Sequence, residues 1–383
     1  MSQHNQMDLF GQPITEKVLL ENDVHLLALT EIQGIGSATA RSFFEMFDGD
    51  LSRVWSAQAE ELYEGLRKSR AQHPINIVNK IHKDSAKLIE LARDRLRMFK
   101  ERRKISVIFR DTPEYPVTLL DLPNPPAWIF VQGDSKLLHN TNLVAVVGTR
   151  TPTENGIEAA KRLSILLVTN GALILSGLAE GIDEVGHRTA VDHGVPTVSV
   201  LGHGIDIVFP RSTAALRQQI IDVGGAVVTE YLPRDSYNAE RFVQRNRIQA
   251  ALSQAVAIVE GKTKSGTAHT VRFAKQLKRP LFGVRIGRPT KSPNQELLEE
   301  LSKNNAPVFD LDALDTKEAL TKFMHEHLSL GNNLHAPAKP SRFRMILKEL
   351  DRIIEYYGAN DADYQYLIDE IDQRRKGSKK DAN

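Results

Sequence analysis

Short apolar runs alternate with amphipathic stretches between residues 143 and 284, a pattern that few folds accommodate. LVAVVG at 143–148 precedes GIEAAKRLSILLVTNG at 156–171, and the same order recurs as far as AVAIVEG at 255–261. The apolar runs do not alternate with polar residues, as expected of strands that are buried on both faces. Such strands, each followed by a helix, predict an α/β protein with a doubly wound, mostly parallel, Rossmann-like sheet.

The region before the sheet has the spacing of helices. Apolar residues recur every three or four positions from Asp23 to about Phe99, and glycines separate the segments. We therefore expect an all-helical domain at residues 17–104, after a disordered N-terminus at 1–16. Five prolines between residues 113 and 126 oppose a regular helix, so residues 111–134 are expected to connect this domain to the sheet.

The remaining boundaries follow from composition. The Rossmann-like domain is expected at residues 105–315, and a helix with a Pro/Gly/Asn-rich linker at 316–341. Residues 342–383 are expected to form a C-terminal helix followed by a charged, basic tail that is disordered.

Composition excludes several classes of protein. The formal net charge is only +2, so affinity for a polyanion must come from local clusters of basic residues. The chain has no cysteine, which excludes disulfides and cysteine-bearing zinc sites. No apolar stretch approaches the roughly 20 residues of a membrane helix, and the N-terminus lacks the pattern of a signal peptide. We expect a cytoplasmic protein with no membrane association and no metal or other cofactor.

Three separated segments carry glycines or arginines where a strand gives way to a loop or helix, at 144–150, 176–187 and 242–267. Backbone N–H groups, helix N-termini and guanidinium groups bind phosphates at such places. Phe242 is expected either to stack on a base or to lie in the core, and Asn246 to stabilise its loop or to reach a base. The predicted phosphate- or DNA-binding residues are Gly148, Thr149, Arg150, Ser176, Gly177, Gly181, Arg211, Phe242, Arg245, Asn246, Arg247, Lys264, Ser265, Gly266 and Thr267.

Familiar nucleotide-binding motifs are missing from the sequence. The dinucleotide fingerprint G-x-G-x-x-G with its downstream acid is absent, and so is the P-loop G-x-x-x-x-G-K-[ST]. The sequence also lacks a nucleophile elbow and metal-ligand spacing. These absences argue against an ordinary dehydrogenase or nucleoside triphosphatase.

Taken together, the motifs resemble those of the DprA/Smf family, the DNA-processing proteins of bacterial transformation. The resemblance spans roughly Leu119 to Asp312. It rests on GTR (148–150), SGLAEGID with GH (176–187), VLGHGIDIVFP (200–210), VVTE (227–230), FVQRNRIQAALS (242–253) and SGT (265–267). It implies a Rossmann-like domain that binds single-stranded DNA, often as a homodimer, and that helps to load RecA during DNA recombination and competence.

The N-terminal region strengthens this resemblance, because LLALTEIQGIGSATARSFFEMF (26–47) is similar to a helix-hairpin-helix. Its hairpin would present backbone N–H groups to a phosphate at Gly34 and Gly36. The alternative interpretation is a tight turn between packed helices. Departures from the family pattern, among them FP for YP at 209–210 and the single C-terminal helix in place of a winged helix, indicate a divergent member.

Two other functions compete with single-stranded-DNA binding. The LOG-type nucleotide phosphoribohydrolases resemble this superfamily, but Thr270 stands where their motif has a glutamate, so we expect no enzymatic activity. A sensor of a nucleotide-derived small ligand, for instance in a phage-defence or mobile-element system, would have the same pocket chemistry. Basic residues beyond the pocket favour DNA, because a strand needs a groove of cations; they are Arg211, Arg217, Arg241, Arg245, Arg247, Lys262 and Lys264.

Overall fold

A computed structural model of the chain describes residues 16–288, 292–313 and 315–328. The helices in these ranges are α1 (Glu16–Leu29), α2 (Ser37–Met46), α3 (Ala59–Lys68), α4 (Pro74–Arg103), α5 (Glu154–Thr169), α6 (Ile182–Asp192), α7 (Ala214–Asp222), α8 (Ala239–Gln244), α9 (Asn246–Leu252), α10 (Gly266–Gln276), α11 (Glu296–Lys303) and α12 (Thr316–His327). The strands are β1 (Ile105–Phe109), β2 (Trp128–Gly133), β3 (Leu143–Val147), β4 (Leu173–Ser176), β5 (Thr197–Val200), β6 (Ala226–Thr229), β7 (Ala255–Ile258), β8 (Leu281–Arg285) and β9 (Val308–Asp310).

Several predicted segments lie outside the described residues. They are residues 1–15 of the predicted disordered N-terminus, the linker from residue 329 to 341, and the predicted C-terminal helix and basic tail at 342–383.

All nine of these strands belong to one sheet with the order β1-β2-β6-β5-β4-β3-β7-β8-β9. Neighbours from β6 to β9 pair in parallel, for example Val144 with Ala255 and Ile174 with Thr197. Every residue of β3 is buried, so helices cover both faces of the sheet at its centre. The prediction of a doubly wound, mostly parallel α/β sheet is confirmed.

The strand order reverses beside β3. From β3 the chain adds β4, β5 and β6 on one side, and then returns to place β7 on the other side of β3. Loops that leave the carboxyl ends of β3 and β7 therefore diverge and open a crevice, which is where doubly wound sheets bind ligands.

One edge of the sheet differs from the prediction. Residues 111–134 were expected to form only a connection, but WIFVQG (128–133) forms β2, which pairs antiparallel with β1 and β6. The last proline of the segment, Pro126, lies two residues before β2, so the missing proline N–H groups do not interrupt the strand. The interpretation of residues 111–134 as a connecting segment was wrong for residues 128–133, which belong to the sheet.

The helical region shares a core with the sheet. Phe44 of α2 is fully buried, and its ring stacks on that of Phe109 of β1 at 5.8 Å and meets the edge of Trp128 of β2 at 6.1 Å. One continuous cluster of buried side chains runs from Leu26 in α1 through these aromatics to Leu216 in α7. The helices thus cover one end of the sheet face rather than only preceding it in the chain. The boundaries at residues 104 and 315 stay predictions.

Candidate nucleic-acid interface

A cavity of about 370 Å³ lies at the point where the strand order reverses. Its walls come from the loop after β3, the segment around α8, and the start of α10 after β7. We call it the Arg150 cavity. The predicted residues that line it are Gly148, Thr149, Arg150, Phe242, Arg245, Asn246, Ser265, Gly266 and Thr267.

Arg150 is the exposed cation of this cavity. Its guanidinium lies 4.5 Å from the centroid of the Phe242 ring, a cation–π distance. Within the described residues Arg150 has no acidic partner. A guanidinium that rests on an aromatic ring keeps its N–H groups available, so this side chain can donate two hydrogen bonds to one phosphate.

Arg245 is placed differently. It is 3% exposed, and its Nη1 donates to the carbonyl oxygen of Val200 at 2.6 Å while its Nη2 lies 3.6 Å from Oδ2 of Asp183. Burial lowers the pKa of Arg245 to about 10, so the guanidinium is still charged at neutral pH. A Cβ on Gly177 would overlap this guanidinium. The predicted phosphate contact is therefore a buried cation that ties β5 to the start of α6.

Asp183 belongs to the same buried arrangement. Burial raises the pKa of its carboxyl group, and the charge of Arg245 opposes this rise. Its Oδ2 accepts a hydrogen bond from the backbone N–H of Gly177 at 3.1 Å. Both the glycine N–H and the carboxylate are thus used inside the protein.

The other predicted glycines of this loop provide space for close packing. A Cβ on Gly181, whose φ is +84°, would lie 2.5 Å from the carbonyl oxygen of Thr149. The hydroxyl group of Ser176 is buried and donates to the carbonyl oxygen of Val146 at 2.6 Å. Thr149 donates its own N–H to the carbonyl oxygen of Glu260 at 2.8 Å. These contacts hold the loops after β3 and β4 together, and they occupy groups that the sequence assigned to a phosphate.

The start of α10 supplies the backbone donors of the cavity. Ser265 caps the helix by accepting from the N–H of Ala268 at 3.4 Å, and the amides of Gly266 and Thr267 open its first turn. First-turn amides have no acceptor within the helix and attract anions. Thr267 donates its hydroxyl to Gly148 O at 2.9 Å, which anchors this turn against β3.

Asn246 supports the same turn from the side. Its Nδ2 donates to the carbonyl oxygen of Gly266 at 3.0 Å, and the residue is buried. The sequence left two roles open for Asn246, stabilising its loop or reaching a base, and this contact is of the stabilising kind.

Aromatic side chains extend the cavity outward. Tyr237 stacks on Phe209 with ring centroids 4.0 Å apart and meets the edge of Phe242 at 5.3 Å. Phe209 is 37% exposed, whereas Phe242 is buried beneath Arg150. From the sequence, Phe209 was identified only as a departure from a motif, and Tyr237 was missed. An aromatic residue in the polar loop RDSYN (234–238) was the available signal.

The remaining predicted residues lie elsewhere. Arg247 is directed away from this cavity and forms an ion pair with Glu230. Lys264 is exposed above a separate depression of about 790 Å³ on the other side of Ser265. Arg211 is exposed and does not line the Arg150 cavity.

The hairpin and several basic residues have structural contacts. Gly34 has a φ of +96° and packs near Ile77, while Gly36 precedes α2. Arg217 is half-buried and donates to Ile205 O at 2.7 Å, and desolvation lowers its pKa to about 10. Arg241 pairs with Asp235 at 3.5 Å. These arginines add less to a positive groove than their number in the sequence suggests.

Comparison with known proteins identifies the family to which this chain belongs. The family model of DNA recombination-mediator protein A matches residues 106–319, more than half of the chain. The chain belongs to that family. Membership of the DprA/Smf group, predicted from the motifs, is thereby confirmed.

The similar relatives include Protein Smf of Synechocystis sp., 30% identical over 268 residues, which are 67% of this chain and 63% of that protein. Protein Smf of Escherichia coli is 37% identical over 184 residues, 47% of this chain and 48% of that protein. DNA processing protein DprA of Bacillus subtilis is 32% identical over 180 residues, 47% of this chain and 60% of that protein. The chain thus spans about half to two thirds of the length of these relatives.

Two solved DprA structures are similar to this chain. DNA processing protein A from Helicobacter pylori, whose structure is described for its single-stranded DNA binding mode, aligns with a TM-score of 0.52 and 26% identity, covering 59% of this chain and 98% of that one. DprA from Streptococcus pneumoniae aligns with a TM-score of 0.57 and 22% identity, covering 75% of this chain and 94% of that one, and supports the fold. Across the described ranges of this DprA-family chain, no helix is long and apolar enough to cross a membrane.

Proposed function

We propose that this DprA-family protein binds single-stranded DNA in the Arg150 cavity and does no covalent chemistry there. The observation that carries the proposal is the exposed guanidinium of Arg150, which rests on Phe242 beside the first-turn amides of α10. A cation and a helix N-terminus that line one cavity form a binding site for a phosphate group. The ligand described for the Helicobacter pylori relative supports the same class of substrate.

Phosphate contacts and base contacts are assigned to different parts of the site. Arg150 and the amides of Gly266 and Thr267 would bind one or two phosphates of the strand. The stacked rings of Phe209 and Tyr237 would receive a base, because every base has a flat π-face. Since phosphate contacts and stacking do not read base edges, we propose low sequence specificity.

Two observations support a role without catalysis. Thr270, which the sequence resemblance aligns with the glutamate of the LOG-type hydrolases, lines the cavity and is 1% exposed. Asp183, a carboxylate in the cavity wall, is held by Arg245 and by the N–H of Gly177. A carboxylate fixed in this way is poorly placed to act as a base towards a sugar.

Family membership supports further parts of the proposal. A recombination mediator assists the loading of a recombinase on a strand, so we propose RecA as a protein partner, a homodimer as the working state, and the cytoplasm as the location. DNA uptake and recombination are the processes that such a protein serves.

The size of the cavity supports a second candidate. A volume of about 370 Å³ is within the roughly 300–1,000 Å³ range of small-molecule sites, so a single nucleotide-derived ligand would also fit. A sensor of such a ligand would use Arg150 in the same way and would not need a longer strand.

Fluorescence anisotropy with labelled oligo-dT of 25 nucleotides, titrated at several salt concentrations beside the same length of duplex, tests the proposal. We expect preference for the single strand and a logarithm of affinity that falls linearly with the logarithm of salt. Arg150→Ala should weaken binding about 10- to 100-fold, because a hydrogen bond to a charged group contributes about 1.5–3 kcal/mol.

Arg97→Ala is the matched control. Arg97 lies on α4 with two thirds of its side chain exposed and makes only an i,i+3 pair with Asp94 at 3.5 Å. Equal affinities of the Arg150 and Arg97 variants would remove the Arg150 cavity from the binding site. Binding of mononucleotides but not of oligo-dT would instead favour the sensor.

A further inference from the structure

A second and larger cavity, of about 1350 Å³, lies between α2 of the helical region and the helices α8 and α10. One wall is the face of α2 that bears Arg41, the opposite wall is formed by α8 and Arg247, and Arg70 lies at its rim after α3. We call it the α2–α8 cleft. Its volume exceeds the roughly 300–1,000 Å³ that encloses a drug-sized ligand, so it suits a longer molecule.

Positive charge is concentrated at the centre of this cleft. The carboxylate of Glu230 is 5% exposed and forms ion pairs with Arg247 and with Nη2 of Arg41, the latter at 3.1 Å. Two guanidiniums around one carboxylate leave a local charge of +1. Nη1 of Arg247 is buried without a hydrogen-bond partner, and the side chain of Arg41 is 37% exposed to the cleft. A phosphate at the partly exposed guanidinium of Arg41 would balance the excess positive charge of this cluster.

Two carboxylates around the cleft are already paired with arginines, whereas the charge of Glu240 offsets that of Arg70 and leaves the cluster's charge in place. Glu45 pairs with Arg110 at 3.0 Å, and Asp121 pairs with Arg279 at 3.0 Å. Glu240 lies in the first turn of α8 and has no basic partner in the ranges that the structure describes. On the opposite rim Lys68 pairs with Glu64, whereas Arg70 is exposed and has no acidic partner in those ranges.

Two aromatic rings line the same cleft, each beneath an arginine. Tyr231 lies beneath the guanidinium of Arg241 at 5.1 Å, and Phe273 beneath that of Arg272 at 5.6 Å. Arginines beside aromatic rings suit a ligand that alternates anionic and planar apolar parts, which describes a nucleic acid strand.

Helix α8 is the wall shared by the two cavities. Ala239, Phe242 and Val243 face the Arg150 cavity, whereas Arg241 and Gln244 face the cleft. We propose that a single strand held at Arg150 continues around α8 into the α2–α8 cleft, where Arg41 and Arg70 bind its phosphates. This inference rests on the proposed function and extends its site to a second set of residues.

Strand length provides a test. A helix is about 10 Å across, and a stacked strand rises about 3.4 Å per nucleotide, so at least three nucleotides must separate the two sites. A thymidine dinucleotide is too short to span this separation and occupies the Arg150 cavity alone, whereas a 25-nucleotide oligo-dT reaches both cavities.

Arg70→Ala and Arg41→Ala should each lower the affinity for 25-nucleotide oligo-dT about 10-fold and leave the affinity for the dinucleotide unchanged. The double variant should lower the salt slope by about 1.4, because each phosphate contact with a single strand contributes roughly 0.7. Arg97→Ala is the control for loss of one exposed cation. Because Arg41→Ala removes a partner of Glu230, a thermal melt checks that this variant is still folded. Arg70→Ala removes no ion pair in the described residues and provides a second, independent variant.

Unchanged affinity for the long oligonucleotide in both variants overturns the inference, and so does an equal loss for both lengths. Failure of the wild-type protein to bind either length overturns the proposed function together with this extension. If Arg150→Ala leaves long-strand affinity intact while Arg70→Ala lowers it, the cleft is a binding site and the Arg150 cavity is not.

Discussion

Replacing Gly177 by alanine tests whether the buried arginine organises the site. The new Cβ would occupy the space of the Arg245 guanidinium, which donates to Val200 O at 2.6 Å and pairs with Asp183 at 3.6 Å. Moving the guanidinium breaks both contacts and leaves two buried charges without their ion-pair partners. Breaking a buried pair costs about 3–5 kcal/mol, and the loss of chain flexibility on going from glycine to alanine returns only about 0.4–1 kcal/mol. We therefore expect a net loss of about 2–4 kcal/mol in the free energy of unfolding.

Urea denaturation followed by circular dichroism measures this loss, since urea does not screen charges. At roughly 2 °C per kcal/mol, the melting temperature should fall by about 4–8 °C. Gly186→Ala, in the interior of α6, is the matched control: its Cβ would make an ordinary contact with Ile174 at 3.5 Å, so that variant should be neutral or slightly more stable. Typical surface substitutions change the free energy of unfolding by less than about 0.5 kcal/mol. If Gly177→Ala changes it by no more than that, Arg245 does not occupy this position.

Four further measurements follow from named contacts. Burial lowers the pKa of His187 to about 3, whereas the unfolded chain binds this proton once the pH falls below about 6.5. The free energy of unfolding should therefore be highest above pH 6.5 and should decline as the pH falls towards 3. Urea titrations should show a less steep decline in His187→Asn. Asp206→Asn releases two arginines of α4 and should cost about 1–3 kcal/mol in the same assay. Ser265→Ala removes the cap of α10 and should cost about 1 kcal/mol of stability; an unchanged melting temperature would contradict it. Tyr237→Ala should weaken oligo-dT binding by about 1–3 kcal/mol by anisotropy, and equal affinity would exclude base stacking there.

The parallel part of the fold could be predicted because each strand carries its own signal. Runs such as LVAVVG and AVAIVEG are apolar throughout, and only burial on both faces gives a strand that pattern. Strand β2 was missed because prolines 123, 125 and 126 directly precede it. The connecting segment that these prolines indicate was extended over residues 128–133, which contain no proline. Its antiparallel pairing with β6 joins residues about 100 positions apart, a contact that no local pattern encodes.

The location of the cavity could also be predicted, because glycines and arginines cluster at the carboxyl ends of β3 and β7. The role of each arginine could not be predicted in this way. Whether a guanidinium is free depends on its distance from a carboxylate elsewhere in the chain, as with Arg245 and Asp183, which are 62 positions apart. Tyr237 was missed because its partner in stacking, Phe209, lies in a different loop.

Helical geometry nevertheless contained one clue about Arg245 and Arg247. Arg245 has helical φ and ψ angles of −62° and −22°, so α8 and α9 run on with little interruption. Two residues two positions apart on a helix point about 200° away from each other, because each residue turns the chain by about 100°. Both arginines therefore cannot face one phosphate. Arg245 turns inward to Asp183, and Arg247 turns to Glu230 and the α2–α8 cleft. Neither side chain is therefore free to contact a phosphate in the Arg150 cavity. Arg247 instead lies in the α2–α8 cleft, where a continuing strand would pass.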